Sequence, residues 1–248
     1  AVLISFLISL NLMSQGGEPF TKEIKKEFTV DQNTRLEIYN KYGNVDIVNR
    51  DDAALSIRVL IKVNGRDQEK AENMLDMINV TVTQEGDLIK AVTEIDEDFG
   101  KYFRNFNMGD GGLEINYSVS MPKARPLYLS NKYGNVFIDE LTGTSTIDVK
   151  YGKLTANKIL HDSKEPLAKV YLSYSNGSIQ ETKWIELDIK YSKINITESK
   201  AMAILSKYSK VYVTNGSSIV SESKYDTYEI GKLNNLVSTA AYGHFVIN

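Results

Sequence analysis

The sequence predicts an all-β protein, and within that class a single-stranded parallel β-solenoid with rungs of about 17 residues. Two observations predict it. A tyrosine followed by a small residue recurs through the second half of the chain, and apolar residues alternate on both sides of each copy. The composition agrees, because Tyr is abundant at 15 residues and Pro is scarce at 4.

The repeated tyrosines indicate identical corners in stacked rungs. Their last four intervals are each 17 residues long, and the hexapeptide NKYGNV occurs twice, at 40–45 and 131–136. Like residues of stacked rungs lie about 4.8 Å apart, so we expect these side chains to form a parallel aromatic ladder. The predicted ladder consists of Tyr133, Tyr151, Tyr174, Tyr191, Tyr208, Tyr225 and Tyr242, and one further copy, Tyr42, stands far upstream.

The residues around each tyrosine predict which side chains face inward. Ile185, Leu187 and Ile189 precede Tyr191 at every second position, and Ile194 and Ile196 follow it with the phase shifted by one. A period of two is typical of a strand with one buried face, and the shift indicates a sharp corner at the small residue. A polar turn such as 214–217 would then separate consecutive units.

Residues 20–125 do not follow the 17-residue period and are predicted to form an N-terminal β-rich cap with one α-helix. The helix is expected at 66–78, with an apolar face and Asn64 as its N-cap. The predicted organisation is therefore a signal peptide at 1–16, the capping region at 17–125 and the solenoid repeats at 126–248.

The start of the chain predicts export. An almost wholly apolar run of about 13 residues is too short for a membrane span and is typical of a signal peptide, with cleavage expected near Gly16. We therefore expect the periplasm, the outer surface or the extracellular space, and no integral membrane span after cleavage. A buried N-terminal strand and a retained anchor are the alternatives.

Charge and residue types exclude several function classes. The formal net charge of −3 argues against nucleic acid as a partner, and the absence of Cys excludes thiolate chemistry. The two histidines, His161 and His244, stand on different rungs without an evident acid–base partner. Acidic stretches at 94–100 and 110–114 lack the spacing of a calcium loop. We predict no catalytic residue, no metal and no cofactor.

A candidate ligand-contact loop lies at 97–112, where aromatic and basic residues alternate. Aromatic side chains in a loop can stack on sugars or anchor a protein partner, although they could instead cover the edge of the sheet. The candidate residues are Phe99, Tyr102, Phe103, Arg104 and Phe106. A possible glycan or an envelope protein is the expected partner.

Lysines form two further columns beside the tyrosines. One column stands just before each tyrosine and includes Lys132, Lys150 and Lys190, and the other stands two residues after it and includes Lys153 and Lys193. These columns suit an anionic polysaccharide, or they prevent flat strands from aggregating sideways.

The chain resembles the putative adhesin family of bacterial envelopes, a domain of unknown function related to the head domains of some autotransporter adhesins. The resemblance rests on the first NKYGNV, on the predicted helix, on NYSVSMPKARPLYLSNKYGNVFIDELTG at 116–143 and on the VKYGKL-type repeats that follow. It implies an exported, non-enzymatic β-solenoid, and it brings no catalytic or binding residues.

Three functions are compatible with the sequence. The first is a cell-envelope adhesin or binding scaffold without catalytic activity. The second is a partner in envelope-stress signalling, which acts through another membrane protein. The third is a polysaccharide-active β-helix enzyme, and it is the weakest because no carboxylate cluster shows in the rungs.

Overall fold

The structure is a computed structural model that describes residues 7–11, 19–65, 67–100, 112–163 and 166–248. Within these ranges the chain forms one α-helix and 18 β-strands. Their bounds are β1 Leu7–Asn11, β2 Phe20–Thr29, β3 Arg35–Lys41, β4 Val45–Asn49, β5 Ala54–Val63, α1 Gln68–Asp76, β6 Ile78–Glu85, β7 Leu88–Ile95, β8 Leu113–Met121, β9 Leu127–Lys132, β10 Val136–Leu141, β11 Ser145–Lys150, β12 Lys153–Ile159, β13 Ala168–Ser173, β14 Asn176–Lys190, β15 Lys193–Lys207, β16 Lys210–Lys224, β17 Thr227–Ala241 and β18 His244–Ile247.

The strands between residues 20 and 121 pair in both directions. Strand β2 pairs antiparallel with β1 and β5, β5 pairs antiparallel with β8, and β6 pairs antiparallel with β7. Strands β3 and β4 then pair in parallel with β9 and β10, in the same sheet. Through β3 and β4, the strands before residue 125 and the repeats therefore belong to one sheet.

The repeats pair in parallel with a constant register. Residue 190 faces 207, and 207 faces 224, so that each strand position meets the same position one repeat later. Strands β14 to β17 each run for 15 residues. The first half of β14 pairs with β12 and its second half with β13, so each long strand spans the width of two shorter ones. In cross-section the sheet curls round the core until it is nearly closed.

The prediction of a β protein with one helix is confirmed, and the predicted solenoid architecture is wrong. The protein is all-β with one helix, but its 18 strands form a single mixed, barrel-like sheet with antiparallel members, and not a single-stranded parallel β-solenoid. The 17-residue period could not reveal this, because the antiparallel strands lie in the part of the chain without the period. The division at residue 125 stays a prediction.

Two local expectations also change. Helix α1 begins at Gln68, one residue after its N-cap Asp67, whose side chain accepts a hydrogen bond from the Lys70 amide at 3.2 Å; Asn64 is not the cap. Residues 214–217, expected as a turn, lie within the continuous strand β16.

The core lies inside the curled sheet and consists of the alternate apolar residues of its strands. Ile185, Leu187, Ile189 and Ile194 are completely buried, as the alternation predicts. Helix α1 buries Ala71, Met74 and Leu75 against it. Burial of this side of the sheet fixes the register, because a slip by one residue would expose every apolar side chain. The opposite face of each strand is thereby held toward solvent.

Candidate functional site: the tyrosine edge

Eight tyrosines form one continuous stack along the side of the molecule where the chain turns between successive strands. We call this surface the tyrosine edge. Neighbouring ring centroids are 4.9 to 5.2 Å apart, and the ring planes deviate from parallel by at most 16°. The stack runs in the order Tyr42, Tyr133, Tyr151, Tyr174, Tyr191, Tyr208, Tyr225 and Tyr242.

The tyrosines themselves adopt the unusual backbone conformation of the corner. Their φ angles lie between 50° and 60°. Residues other than Gly and Asn rarely adopt this left-handed backbone conformation. The sequence indicated that the small residue would absorb the sharp turn. Instead it is the tyrosine that does so, and each corner therefore projects a ring outward.

Two of the glycines that follow the tyrosines, Gly134 and Gly152, are required for close approach. A methyl group on Gly134 would overlap the main-chain carbonyl of Gly43, and one on Gly152 would overlap that of Gly134. Successive corners thus touch through their backbones. This contact holds the rings at the spacing of one strand.

The two asparagines of NKYGNV explain why the hexapeptide recurs. The buried Asn131 donates to the Gly43 carbonyl at 3.0 Å, and so fills the space behind the glycine. The second asparagine acts between repeats: Asn44 accepts from the Asn135 amide at 2.9 Å, and Asn135 accepts from the Lys153 amide at 3.1 Å. The two asparagines therefore supply hydrogen-bond partners for backbone amide and carbonyl groups at the corner.

Later corners use side-chain hydrogen bonds in place of glycine. The amide of Ser175 donates to the hydroxyl of Ser192 at 3.1 Å, and the amide of Ser192 donates to the hydroxyl of Ser209 at 3.2 Å. The series ends at Asp226, whose buried carboxylate accepts from the Ser209 amide at 2.7 Å and the Ser206 hydroxyl at 2.8 Å. These bonds rigidify the edge from behind.

Lysines flank the stacked rings on both sides. The column before the tyrosines contains Lys41, Lys132, Lys150, Lys190, Lys207 and Lys224, interrupted by Ser173. Several of these ammonium groups lie over rings of the stack: Lys132 is 4.9 Å from the centroid of Tyr133, and Lys224 is 5.5 Å from that of Tyr225. Lys190 instead pairs with Asp188 at 3.2 Å.

The second lysine column completes a shallow groove. Lys193 and Lys210 face each other in adjacent strands, with Asn176 at the same position one repeat earlier. The groove has a volume of about 470 Å³ and is lined by Tyr174, Ser175, Asn176, Tyr191, Ser192, Lys193, Tyr208 and Lys210. The groove crosses three consecutive repeats, since Tyr174, Tyr191 and Tyr208 all line it.

Only one of the five candidate contact residues of the predicted loop lies in the described part of the chain. Phe99 is buried, with 6% of its surface exposed, so it belongs to the core and does not face a ligand. Tyr102, Phe103, Arg104 and Phe106 lie outside the described residues. Sequence reasoning left Tyr42 out of the predicted ladder, although the shared hexapeptide was the signal that could have placed it there.

The two histidines lie in different parts of the structure. The Nδ1 atom of His161 lies 3.2 Å from the Thr142 carbonyl, and His244 lies at the end of the sheet in β18. Among the described residues, no group of three or more His, Cys, Asp or Glu side chains could hold a metal ion. In the same ranges, no helix has the length and apolar character that crossing a membrane requires.

Comparison with known proteins gives distant structural likenesses only. No family model and no curated protein matches the chain. A putative adhesin from Parabacteroides distasonis has a TM-score of 0.47 and 10% identity, covering 92% of this chain and 94% of that one. One from Bacteroides fragilis has a TM-score of 0.45 and 15% identity, covering 92% and 97%.

A third solved structure carries a different name. It is a putative lipid binding protein from Parabacteroides distasonis, with a TM-score of 0.44 and 14% identity, covering 94% of this chain and 97% of that one. The first two structures carry the name of the family that the sequence resembles. The relation to autotransporter head domains stays a prediction.

Proposed function

We propose that this chain is an exported cell-envelope binding protein without catalytic activity, and that its tyrosine edge holds an extended anionic polymer such as an acidic glycan. The observation that carries the proposal is the exposed stack of eight tyrosines, with a column of lysines before it and with Lys153, Lys193 and Lys210 after it. Seven of these tyrosines expose 40% to 53% of their surface, and Tyr242 exposes 79%. Such a row of large side chains on the surface is typical of a binding site.

The geometry of the rings favours an anion. Because each ring stacks on its neighbour and every tyrosine of the stack stays exposed, the accessible part of the stack is its row of ring edges. The edge of an aromatic ring carries the positive end of its quadrupole, and a phenol hydroxyl can donate a hydrogen bond. Both groups complement carboxylate or sulfate oxygens.

The lysine columns favour the same ligand. Lys207 and Lys224 face each other at the spacing of one strand and repel as like charges, and a bound polyanion would relieve this repulsion. The repeat of about 5 Å also offers a linear polymer equivalent contacts at every strand. Affinity then accumulates over many weak contacts, as in other multivalent interactions.

The binding test compares two triple variants of equal charge. The edge variant changes Lys190, Lys207 and Lys224 to Ser, the residue that Ser173 already supplies in this column. The control variant changes Lys158, Lys183 and Lys200 to Ser, which lie away from the corners. We expect the edge variant to bind an immobilised polyuronate at least about tenfold more weakly than the control, with loss of binding at high salt.

Two results would overturn the proposal. Equal binding by the two variants would show that net charge alone attracts the polymer. Depolymerisation of the polyuronate by purified protein, abolished by a single carboxylate change, would show that the chain is an enzyme.

The loop at 97–112 stays a proposed second contact region. Changing Phe103 and Phe106 to Ser should leave the melting temperature nearly unchanged and weaken retention on cells or on peptidoglycan. A large fall in the melting temperature would instead assign these side chains to the core.

A further inference from the structure

Lysines flank the tyrosine on both sides at only three of the eight corners of the tyrosine edge. These corners span 150–153, 190–193 and 207–210, and each reads Lys-Tyr-Gly-Lys or Lys-Tyr-Ser-Lys. The last two lie in consecutive repeats, whereas the corner at 173–176 separates the first from them. Positive charge along the edge is therefore concentrated between residues 190 and 210.

Four lysines in and beside this region are not neutralised by an acidic side chain. Lys193 faces Lys210 in the adjacent strand, and Lys207 faces Lys224. In the part of the chain that the structure describes, none of the four forms an ion pair, whereas Lys150 of the same edge has an acidic partner at 3.6 Å. Like charges one strand apart repel each other, so these lysines gain more from a bound anion than a lysine that is already paired.

The groove on the tyrosine edge coincides with this region. Tyr174, Tyr191 and Tyr208 line it with ring centroids 4.9 Å apart, and Lys193 and Lys210 line it as well. The two lysines are therefore separated by one strand along the direction in which the rings stack. An extended ligand meets both lysines when its anionic groups are about 4.8 Å apart.

On the basis of the binding function described above, we propose that this groove is the specificity subsite of the tyrosine edge and takes a linear glycan with an anionic group on every sugar. The glycan runs along the stacked rings, across the strands. An extended sugar residue is about as long as the distance between neighbouring strands, so consecutive sugars present their anions to consecutive lysines. A glycan with an anion on every second sugar leaves one lysine of each facing pair without a partner.

The corner at 173–176 interrupts the lysine-rich part of the edge and provides a gain-of-function test. Ser173 and Asn176 occupy the two positions that lysines hold in the repeats on either side. Ser173→Lys with Asn176→Lys therefore joins four consecutive corners that have a lysine on each side of the tyrosine. A glycan long enough to cover these corners gains two further charge contacts.

The matched control for the added charge is Gln180→Lys with Thr197→Lys. It places two lysines at exposed positions of β14 and β15, four residues beyond the second lysine column. Thermal melts check that both double variants remain folded. We expect the corner variant to bind a long oligouronate at least about tenfold more tightly than the control variant does. Equal binding by the two variants would overturn the subsite.

The spacing of the charges is tested with two ligands of equal carboxylate number. One is an oligouronate, which carries a carboxylate on every sugar, and the other is a hyaluronan fragment, which carries one on every second sugar. We expect wild type to bind the oligouronate at least about tenfold more tightly. Equal affinity for the two ligands would overturn the subsite as well.

A loss-of-function pair keeps the test valid if added lysines destabilise the corner. The groove variant is Lys193→Asn with Lys210→Thr, which uses residue types that neighbouring repeats supply at these positions. The control is Lys158→Asn with Lys200→Thr, away from the corners. We expect the groove variant to lose the preference for the oligouronate and the control to keep it. A preference that survives in both would contradict the assignment of the groove.

Failure of the subsite can be told apart from failure of the binding function. If wild type binds both ligands equally while the triple variant of Lys190, Lys207 and Lys224 still binds polyuronate more weakly than its control, the edge binds polyanions without reading their charge spacing. If that triple variant binds like its control, the binding function itself is wrong and the subsite falls with it.

Discussion

The side-chain amide of Asn40 donates a hydrogen bond to the side-chain oxygen of Asn131 over a distance of 3.1 Å. The two residues are 91 positions apart in sequence and occupy the same position of the repeated hexapeptide. Thr93 also donates to the Asn40 oxygen, at 3.0 Å, and shares a 2.7 Å hydrogen bond with the buried Tyr117 hydroxyl. This polar cluster joins the antiparallel strands to the first repeat from inside the core.

Removal of Asn131 is expected to destabilise the protein without changing its surface. Asn131→Ala leaves the Asn40 amide and the Gly43 carbonyl with fewer partners in a buried site, at a cost of about 1–3 kcal/mol. Asn195→Ala, at an exposed position of β15, should cost less than about 0.5 kcal/mol. Urea unfolding of both variants measures the difference, and equal losses would contradict the role of the cluster.

Neighbouring residues of β14 provide a test of the inward register. Ile189 is completely buried, so Ile189→Asp would place an unpaired charge in the core and should lower stability by more than about 4 kcal/mol. Lys190 lies outward and exposed, and loss of its ion pair with Asp188 should cost at most about 1 kcal/mol in Lys190→Asp. Thermal melts of the two variants that coincide would contradict this register.

Close contact between corners makes Gly134 intolerant of a side chain. A Cβ atom there would overlap the Gly43 carbonyl, which belongs to a hydrogen-bonded backbone and cannot move aside. We expect Gly134→Ala to lower the melting temperature severely. Gly216→Ala is the control, because its Cβ would meet Leu233 at 3.4 Å, an ordinary contact. A wild-type melt for Gly134→Ala would refute the contact.

The local alternation of apolar residues predicted which side chains are buried, but it could not predict which distant strands pair. Alternation around Tyr191 identified the buried side chains, since burial on one face imposes a period of two. The direction in which β2, β5 and β8 pair leaves no such trace, because an antiparallel strand and a parallel strand can show the same alternation. For that reason the sequence predicted a solenoid where the sheet is mixed.

For the candidate site too, the sequence predicted one part and not another. The repeated tyrosines were visible in the sequence, because each repeat needs the same corner. The position of Phe99 could not be predicted, since an aromatic residue flanked by charges can face either the core or the solvent. Only the three-dimensional structure shows that Phe99 is buried.

Alkaline pH is expected to destabilise the protein through Tyr228. Burial raises the pKa of Tyr228 to about 12 from its ordinary value of 10.0, while its hydroxyl lies 2.7 Å from that of Ser206. The unfolded chain therefore loses this proton at lower pH than the folded protein. The contribution to stability is complete below pH 10, and is lost as the pH rises toward 12.

Tyr228→Phe isolates this contribution. Without the hydroxyl, the free energy of unfolding should fall less steeply between pH 10 and 12 than in wild type, by up to about 3 kcal/mol over the interval. Urea midpoints at several pH values in this range give the slope. Parallel curves for wild type and variant would show that the ionisation of Tyr228 does not limit alkaline stability.

The first strand tests the prediction of a signal peptide. Strand β1 pairs antiparallel with β2 and lies inside the segment that we expect to be removed near Gly16. Its loss would leave β2 at the edge, where Lys22, Lys25 and Lys26 provide the charges that protect such a strand from pairing. A chain that begins at Gly17 should therefore remain folded and melt close to the full chain. Sequencing the N-terminus of the exported protein locates the cleavage, and a mature chain that keeps Leu3 to Leu12 would contradict it.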